Sequence, residues 1–175
     1  QMTYLNHMYL ICVLCGLMAI SPAHRTFSLQ AWLRGTAVGA GPAWGAHLVR
    51  NYVALVYFFA GVAKLNPDWL RAQPMLKWME AKRDIAVVGE LLAHDNMAWV
   101  LSYGGLAFDL AVGPMLIFRR TRMWILPFVV GFHLSNVVIF SIGVFPWMML
   151  GACALFLEPE TIRAPLQRLW KAVAL

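Results

Sequence analysis

Apolar residues come in long blocks separated by short polar breaks, and the blocks have the length of membrane helices. The first covers about Leu5–Ile20, interrupted only by Asn6 and His7. The second runs from His47 to Leu65, with an unbroken apolar stretch at Val53–Ala63 and Lys64 at its end. Met97–Phe118 contains one charge, Asp109, and is closed by the basic turn Arg119-Arg120-Thr121-Arg122. Met123–Phe140 and a shorter Phe145–Leu157 follow, divided at Ser141, Gly143 and Pro146. A single helix through both would overshoot a bilayer that about 20 residues cross. The pattern predicts an all-α fold, a polytopic transmembrane bundle of about five segments.

Two further stretches predict amphipathic helices lying along the membrane interface. In one, Trp69, Leu70, Met75, Leu76, Trp78 and Met79 alternate with Arg71, Lys77 and Lys82. In the other, Leu166, Leu169, Trp170 and Val173 recur at helical spacing among Arg163, Gln167, Arg168 and Lys171. Asn66-Pro67-Asp68 reads as a helix start: a cap, a proline at the first helical position, and an acid at the positive dipole end.

Composition strengthens this reading. Of 175 residues, 61% are hydrophobic and 13% charged, about half the charged share usual in soluble domains, so a soluble globule could not cover its surface. The net charge of +6 reads as a topology signal rather than as a nucleic-acid footprint. Arg25, Arg34, Arg119, Arg120, Arg122, Arg163, Arg168 and Lys171 fall on one side, with Arg50 near it. Arg71, Lys77, Lys82 and Arg83 fall on the other, among five acids. The first side is therefore expected to be cytoplasmic, and Lys64 to face the periplasm or lumen. The chain opens at Gln1 without a basic n-region or cleavage site, as expected of a segment of a longer protein.

Polar groups inside spans are expensive unless paired, so each needs a reason. Lys64 has two: a snorkelling lysine at the interface, or a lysine held among Phe58, Phe59 and Trp69 as a general base. His133 lies near mid-membrane with Asn136 one turn on, either a satisfied structural pair or a ligand-facing one. Asn6 and His7 stand at the outer end of the first span, the same side as Lys64. Asp109 is mid-span and expected to partner a basic or hydroxyl group, and Arg50 is expected to snorkel. Cys12-Val-Leu-Cys15 has the spacing of a redox pair but nothing nearby that favours a thiolate. His7, His47 and His133 lack a haem-attachment motif, and no metal site is expected.

Three blocks together resemble one family. They are Asn6-His7-Met8-Tyr9-Leu10, then Tyr57 through Trp69 with its A-G-x-x-K-L-x-x-D-W pattern, then Phe132-His133-Leu134-Ser135-Asn136 with Ile142-Gly143-Val144-Phe145-Pro146. Their order and spacing resemble the vitamin K-dependent gamma-glutamyl carboxylases and their bacterial relatives sharing the HTTM (horizontally transferred transmembrane) domain. The resemblance covers nearly the whole chain and implies one domain over residues 1–175. It implies that Lys64 is the base that deprotonates vitamin K hydroquinone, with oxygen and carbon dioxide as co-substrates. His7 and His133 would lie beside the reacting ring, and Asn6, Asn136, Asp68, Trp69 and Asp109 would contact or orient substrate. The implied partners are membrane lipid, a lipophilic quinol and a protein glutamate, in a multi-pass protein of the bacterial inner membrane. Departures exist: Ala63-Lys64 stands where animal enzymes have two lysines, and Asn66-Pro67 where they have an acid and alanine. The carboxylases also continue into a large lumenal region beyond the part matched here. The other expectation is a non-enzymatic HTTM module that binds lipid or quinone, or a partner membrane protein.

Overall fold

A computed structural model describes residues 6–22, 42–85, 88–140 and 142–158, with the backbone alone for Asn6 and His7. Eight helices and no strand occur among these residues. They are α1 (Asn6–Ile20), α2 (Trp44–Ala63), α3 (Pro67–Leu70), α4 (Gln73–Glu80), α5 (Gly89–Leu92), α6 (Asp95–Ile117), α7 (Arg119–Phe140) and α8 (Phe145–Ala154). The predicted tail helix at 163–173 lies outside the described residues. Helices α2, α6 and α7 are long and apolar enough to cross a membrane. With 15 and 10 residues, α1 and α8 fall short of the roughly 20 a crossing needs.

The break before α8 falls where the sequence predicts it. Gly143 adopts a left-handed φ of 61°, which costs a residue without Cβ little, and Pro146 occupies the helix's first turn. The helix then closes by three tight turns at Leu155, Phe156 and Leu157, so the turn ends at the predicted Leu157.

The chain divides into two compact units, residues 1–52 with 147–175, and residues 53–146. In the first, Leu10 and Leu14 form the buried stripe of α1, and Met149, Cys153 and Phe156 are buried along and just beyond α8. Arg50 does not simply snorkel: its Nε donates to the Leu155 carbonyl at 2.6 Å. A cation at the C-terminal end of α8 meets both the orphan carbonyls and the negative dipole end. Cys12 and Cys15 lie on the exposed side of α1 as free thiols, and His47 is exposed too.

In the second unit, α6 and α7 form a helical hairpin turning at Phe118. Arg122, three residues into α7, is buried: its Nε donates to Leu116 O at 2.8 Å and its Nη2 to Ile117 O at 3.1 Å. Thr121 Oγ1 donates to Met115 O at 2.8 Å, so side chains of the basic turn satisfy the carbonyls that end α6. The later half of α2 comes close to α6. A Cβ added to Gly113 would stand 2.6 Å from the Ala54 carbonyl oxygen, and one on Gly61 2.7 Å from Leu110. These glycines let the helices approach, as small residues do in membrane bundles.

Residues 66–85 and 88–96 form a cap over one end of the hairpin. Met75 and Met79 of α4, Leu92 of α5 and Ala98 of α6 form its core, with Trp69, Leu76, Ile139 and Phe140 against it. Trp78 meets Trp69 and Phe140 edge-on, at centroid distances of 6.1 and 5.7 Å. The predicted amphipathic stretch thus has its apolar side against the hairpin.

Both hairpin helices are inside-out relative to a soluble fold. Ser102, Asp109, Arg122, His133 and Asn136 are buried, whereas Val100, Trp124, Phe128 and Val138 are exposed. Along α7 the buried positions are Arg122, Ile125, Val129, His133 and Asn136, one face at helical period. A polar interior with an apolar exterior suits lipid surroundings.

Candidate functional site

The second unit holds two polar pairs, both built on the inner face of α2. The first forms where α2 ends. Lys64 sits on the closing turn, its N–H bonded to Gly61 O at 2.9 Å, and its side chain folds back along the helix. Nζ donates to Asp109 Oδ2 at 2.5 Å and to Ala60 O at 3.3 Å, and lies 4.9 Å from the Trp69 ring centroid. The carboxyl side chain is 5% exposed and the lysine side chain 20%. Lys64 therefore points inward, with its charge met by an acid, a carbonyl and an aromatic face.

Local sequence explains why Trp69 reaches that position. Asn66 accepts from Trp69 N–H at 3.0 Å, capping α3, and Pro67 stands at the first helical position. Two reciprocal bonds then fix Trp69 to α6: its indole Nε1–H donates to Ser102 O at 2.9 Å, and Ser102 Oγ donates to Trp69 O at 2.7 Å. The acid Asp68 occupies the first turn of α3 and is exposed.

The second pair lies deeper. Tyr57 and Lys64 are seven residues apart, two turns along one face. Tyr57 is buried, and its hydroxyl lies 2.6 Å from His133 Nε2. Aromatic rings surround the pair: Phe108 and Phe132 stack at 4.3 Å, Tyr57 meets Phe108 edge-on, and Phe145 meets His133 at 6.0 Å. His133 is 1% exposed, and its Nδ1 is a buried side-chain atom without a hydrogen-bond partner. A structural histidine in a helix would be expected to satisfy both nitrogens, and this one does not. Asn136 continues the same buried stripe one turn on.

Of the residues picked from the sequence, Lys64, Asp109 and Trp69 are brought into one cluster, and His133 and Asn136 share one buried face. Asp68 points outward. Phe58 and Phe59 do not enclose Lys64; they are exposed and meet each other edge-on at 5.7 Å. The side chains of Asn6 and His7 lie outside the described residues. Sequence reasoning passed over Tyr57 and Ser102, although each stands seven residues before a charged residue it shares a face with. A depression of about 400 Å³ lined by Arg83, Glu90, Ala93, His94 and Asp95 lies on the cap and includes none of these site residues. No group of three or more metal-ligating side chains occurs among the described residues.

The arrangement brings together aromatic rings, an unpartnered ring nitrogen and a lysine–carboxylate pair turned inward. A family model of the HTTM domain matches residues 1–160. No solved structure matches the chain significantly. On that match the chain belongs to the HTTM domain family, the transmembrane module of vitamin K-dependent carboxylase-like proteins.

Proposed function

We propose that this bundle binds vitamin K hydroquinone and, with oxygen, converts it to the epoxide, as the transmembrane core of a vitamin K-dependent carboxylase-like enzyme. The observation that carries the reading is the inward turn of Lys64 onto Asp109, where snorkelling would have turned the ammonium to water. The family resemblance gives the same lysine the role of base.

The pair explains how such a lysine works in hydrocarbon. With its proton on Nζ it is an ion pair; with the proton on Asp109 Oδ2 it is a free amine beside a carboxylic acid. Both forms are net neutral, so neither leaves an isolated charge in the bundle. In the second form Nζ has a lone pair to receive a proton from a ligand hydroxyl. Nζ reaches back to the carbonyl of Ala60, three residues along α2 from Tyr57, so the lysine side chain runs toward the Tyr57–His133 pair. A bound aromatic ring with oxygens at opposite ends would present one to Lys64 and the other to His133, and the Phe108–Phe132 stack offers it an apolar wall. The quinol, oxidised by oxygen to its epoxide with water as second product, supplies the base strength to remove a glutamate γ proton, after which carbon dioxide adds. Protein-glutamate carboxylation is proposed for the full protein, with the Lys64 end of the bundle on the periplasmic or lumenal side and the bacterial inner membrane as its site.

The test is epoxide formation by the full-length parent in nanodiscs with vitamin K hydroquinone and oxygen. The parent is expected to form epoxide and Lys64→Ala to form none above background. A folded parent that makes no epoxide would favour the other reading, a non-enzymatic membrane module, in which Lys64–Asp109 is only a structural ion pair.

A further inference from the structure

The two ring nitrogens of His133 have unlike surroundings. Nε2 is 2.6 Å from the Tyr57 hydroxyl, while Nδ1 is buried and unpartnered. A phenol is a stronger acid than a neutral imidazole N–H, so the favoured sense of this bond has Tyr57 O–H donating to Nε2. Neutral imidazole carries one hydrogen, which must then sit on Nδ1. That leaves a buried donor aimed at no protein atom, a costly state unless a ligand acceptor completes it. The usual partner of such a group in a helix, a carbonyl one turn back, does not take it.

We infer that Tyr57 is a positioning residue for this site: by occupying Nε2 it makes Nδ1–H of His133 the donor to a ring oxygen of the bound quinol. The inference rests on the quinol reading above and adds the atom that contacts the ligand and the residue that selects it. As Lys64 withdraws a proton and negative charge gathers on the ring, a donor fixed in place strengthens its bond without rearranging. Phe132 and Phe145 keep the imidazole among aromatic rings, and Phe108 packs on Tyr57.

The experiment uses the full-length protein with ¹⁵N-labelled histidine in nanodiscs, oxygen-free, before and after addition of vitamin K hydroquinone. His133→Gln identifies the His133 signals. Epoxide formation is measured on the same preparations after admitting oxygen. The expected result is an Nδ1-protonated ring in the parent, with the Nδ1 signal moving on hydroquinone addition. Tyr57→Phe should redistribute the tautomers and lower turnover roughly 10- to 100-fold, as loss of a histidine's second partner does in metal sites, with a smaller change in KM. Epoxide formation with an unmoved Nδ1 signal, or a Tyr57→Phe protein with unchanged tautomer and turnover, would overturn this inference and leave the quinol reading standing. Absence of both epoxide and any His133 response would overturn the two together.

Discussion

The Lys64 ammonium exchanges water for three protein partners, the Asp109 carboxylate, the Ala60 carbonyl and the Trp69 ring. Removing one member of a buried ion pair leaves the other uncompensated, at about 3–5 kcal/mol, whereas replacing both with apolar residues is often neutral or stabilising. Asp109→Ala is therefore expected to destabilise the bundle by that order. The double variant Lys64→Met, Asp109→Leu should recover most of the loss in denaturant titrations in detergent. If the pair serves the chemistry, that recovered protein should still form no epoxide. A double variant as stable as the parent and fully active would remove both residues from the mechanism. Which residues meet at this site was only partly legible. A lysine after an apolar run and an acid within one were evident as costly, but their pairing is a property of two helices, and no local signal carries it. Tyr57 escaped because a tyrosine in a span reads as an ordinary apolar residue until its hydroxyl is seen to have a buried partner. Phe58 and Phe59 misled through proximity in sequence, since residues five and six before Lys64 do not share its inner face.

Helices were the most legible part of the fold, for a physical reason. In hydrocarbon every backbone group must be satisfied within its own segment, so an apolar run of sufficient length has little choice. Asn66-Pro67-Asp68 starts α3 as its chemistry requires, and the glycine before α8 and the proline in its first turn divide it from α7. Arg50 was less legible because snorkelling and C-terminal capping ask for the same residue type near a helix end. Contact between α2 and α6 depends on Gly113 lacking a side chain. Gly113→Val would press two methyl groups toward the Ala54 carbonyl and is expected to cost about 1–3 kcal/mol, as overpacking does. Thermal unfolding in detergent measures this, and an unchanged midpoint would mean that α2 yields at no cost. Cooperation between Gly113→Val and Asp109→Ala should exceed additivity, since both act on the α2–α6 contact.

At the scale of the molecule, the polar interior and apolar exterior of the hairpin mark a membrane protein, and the distribution of charge predicts a side for each end. Arginines near the Phe118 turn are expected in the cytoplasm, and the cap carrying Lys77 and Lys82 opposite them. Single cysteines at Lys77 and at Arg120, in a protein lacking Cys12, Cys15 and Cys153, would show this with a membrane-impermeant thiol reagent. Lys77→Cys should label from outside intact cells and Arg120→Cys only after the membrane is opened. Labelling in the reverse order would invert the orientation, and labelling of both from one side would rule out a crossing between them.

Trp69 has a consequence for observation as well as for architecture. Its indole is clamped to α6 through Ser102 and carries the Lys64 ammonium 4.9 Å from its ring centre. An adjacent cation changes the energy of an indole's excited state, so the protonation of Lys64 is coupled to the fluorescence of a residue the protein already contains. Emission assigned to Trp69 by difference from Trp69→Phe would then follow the amine's charge during turnover, an intrinsic optical probe of the proposed base.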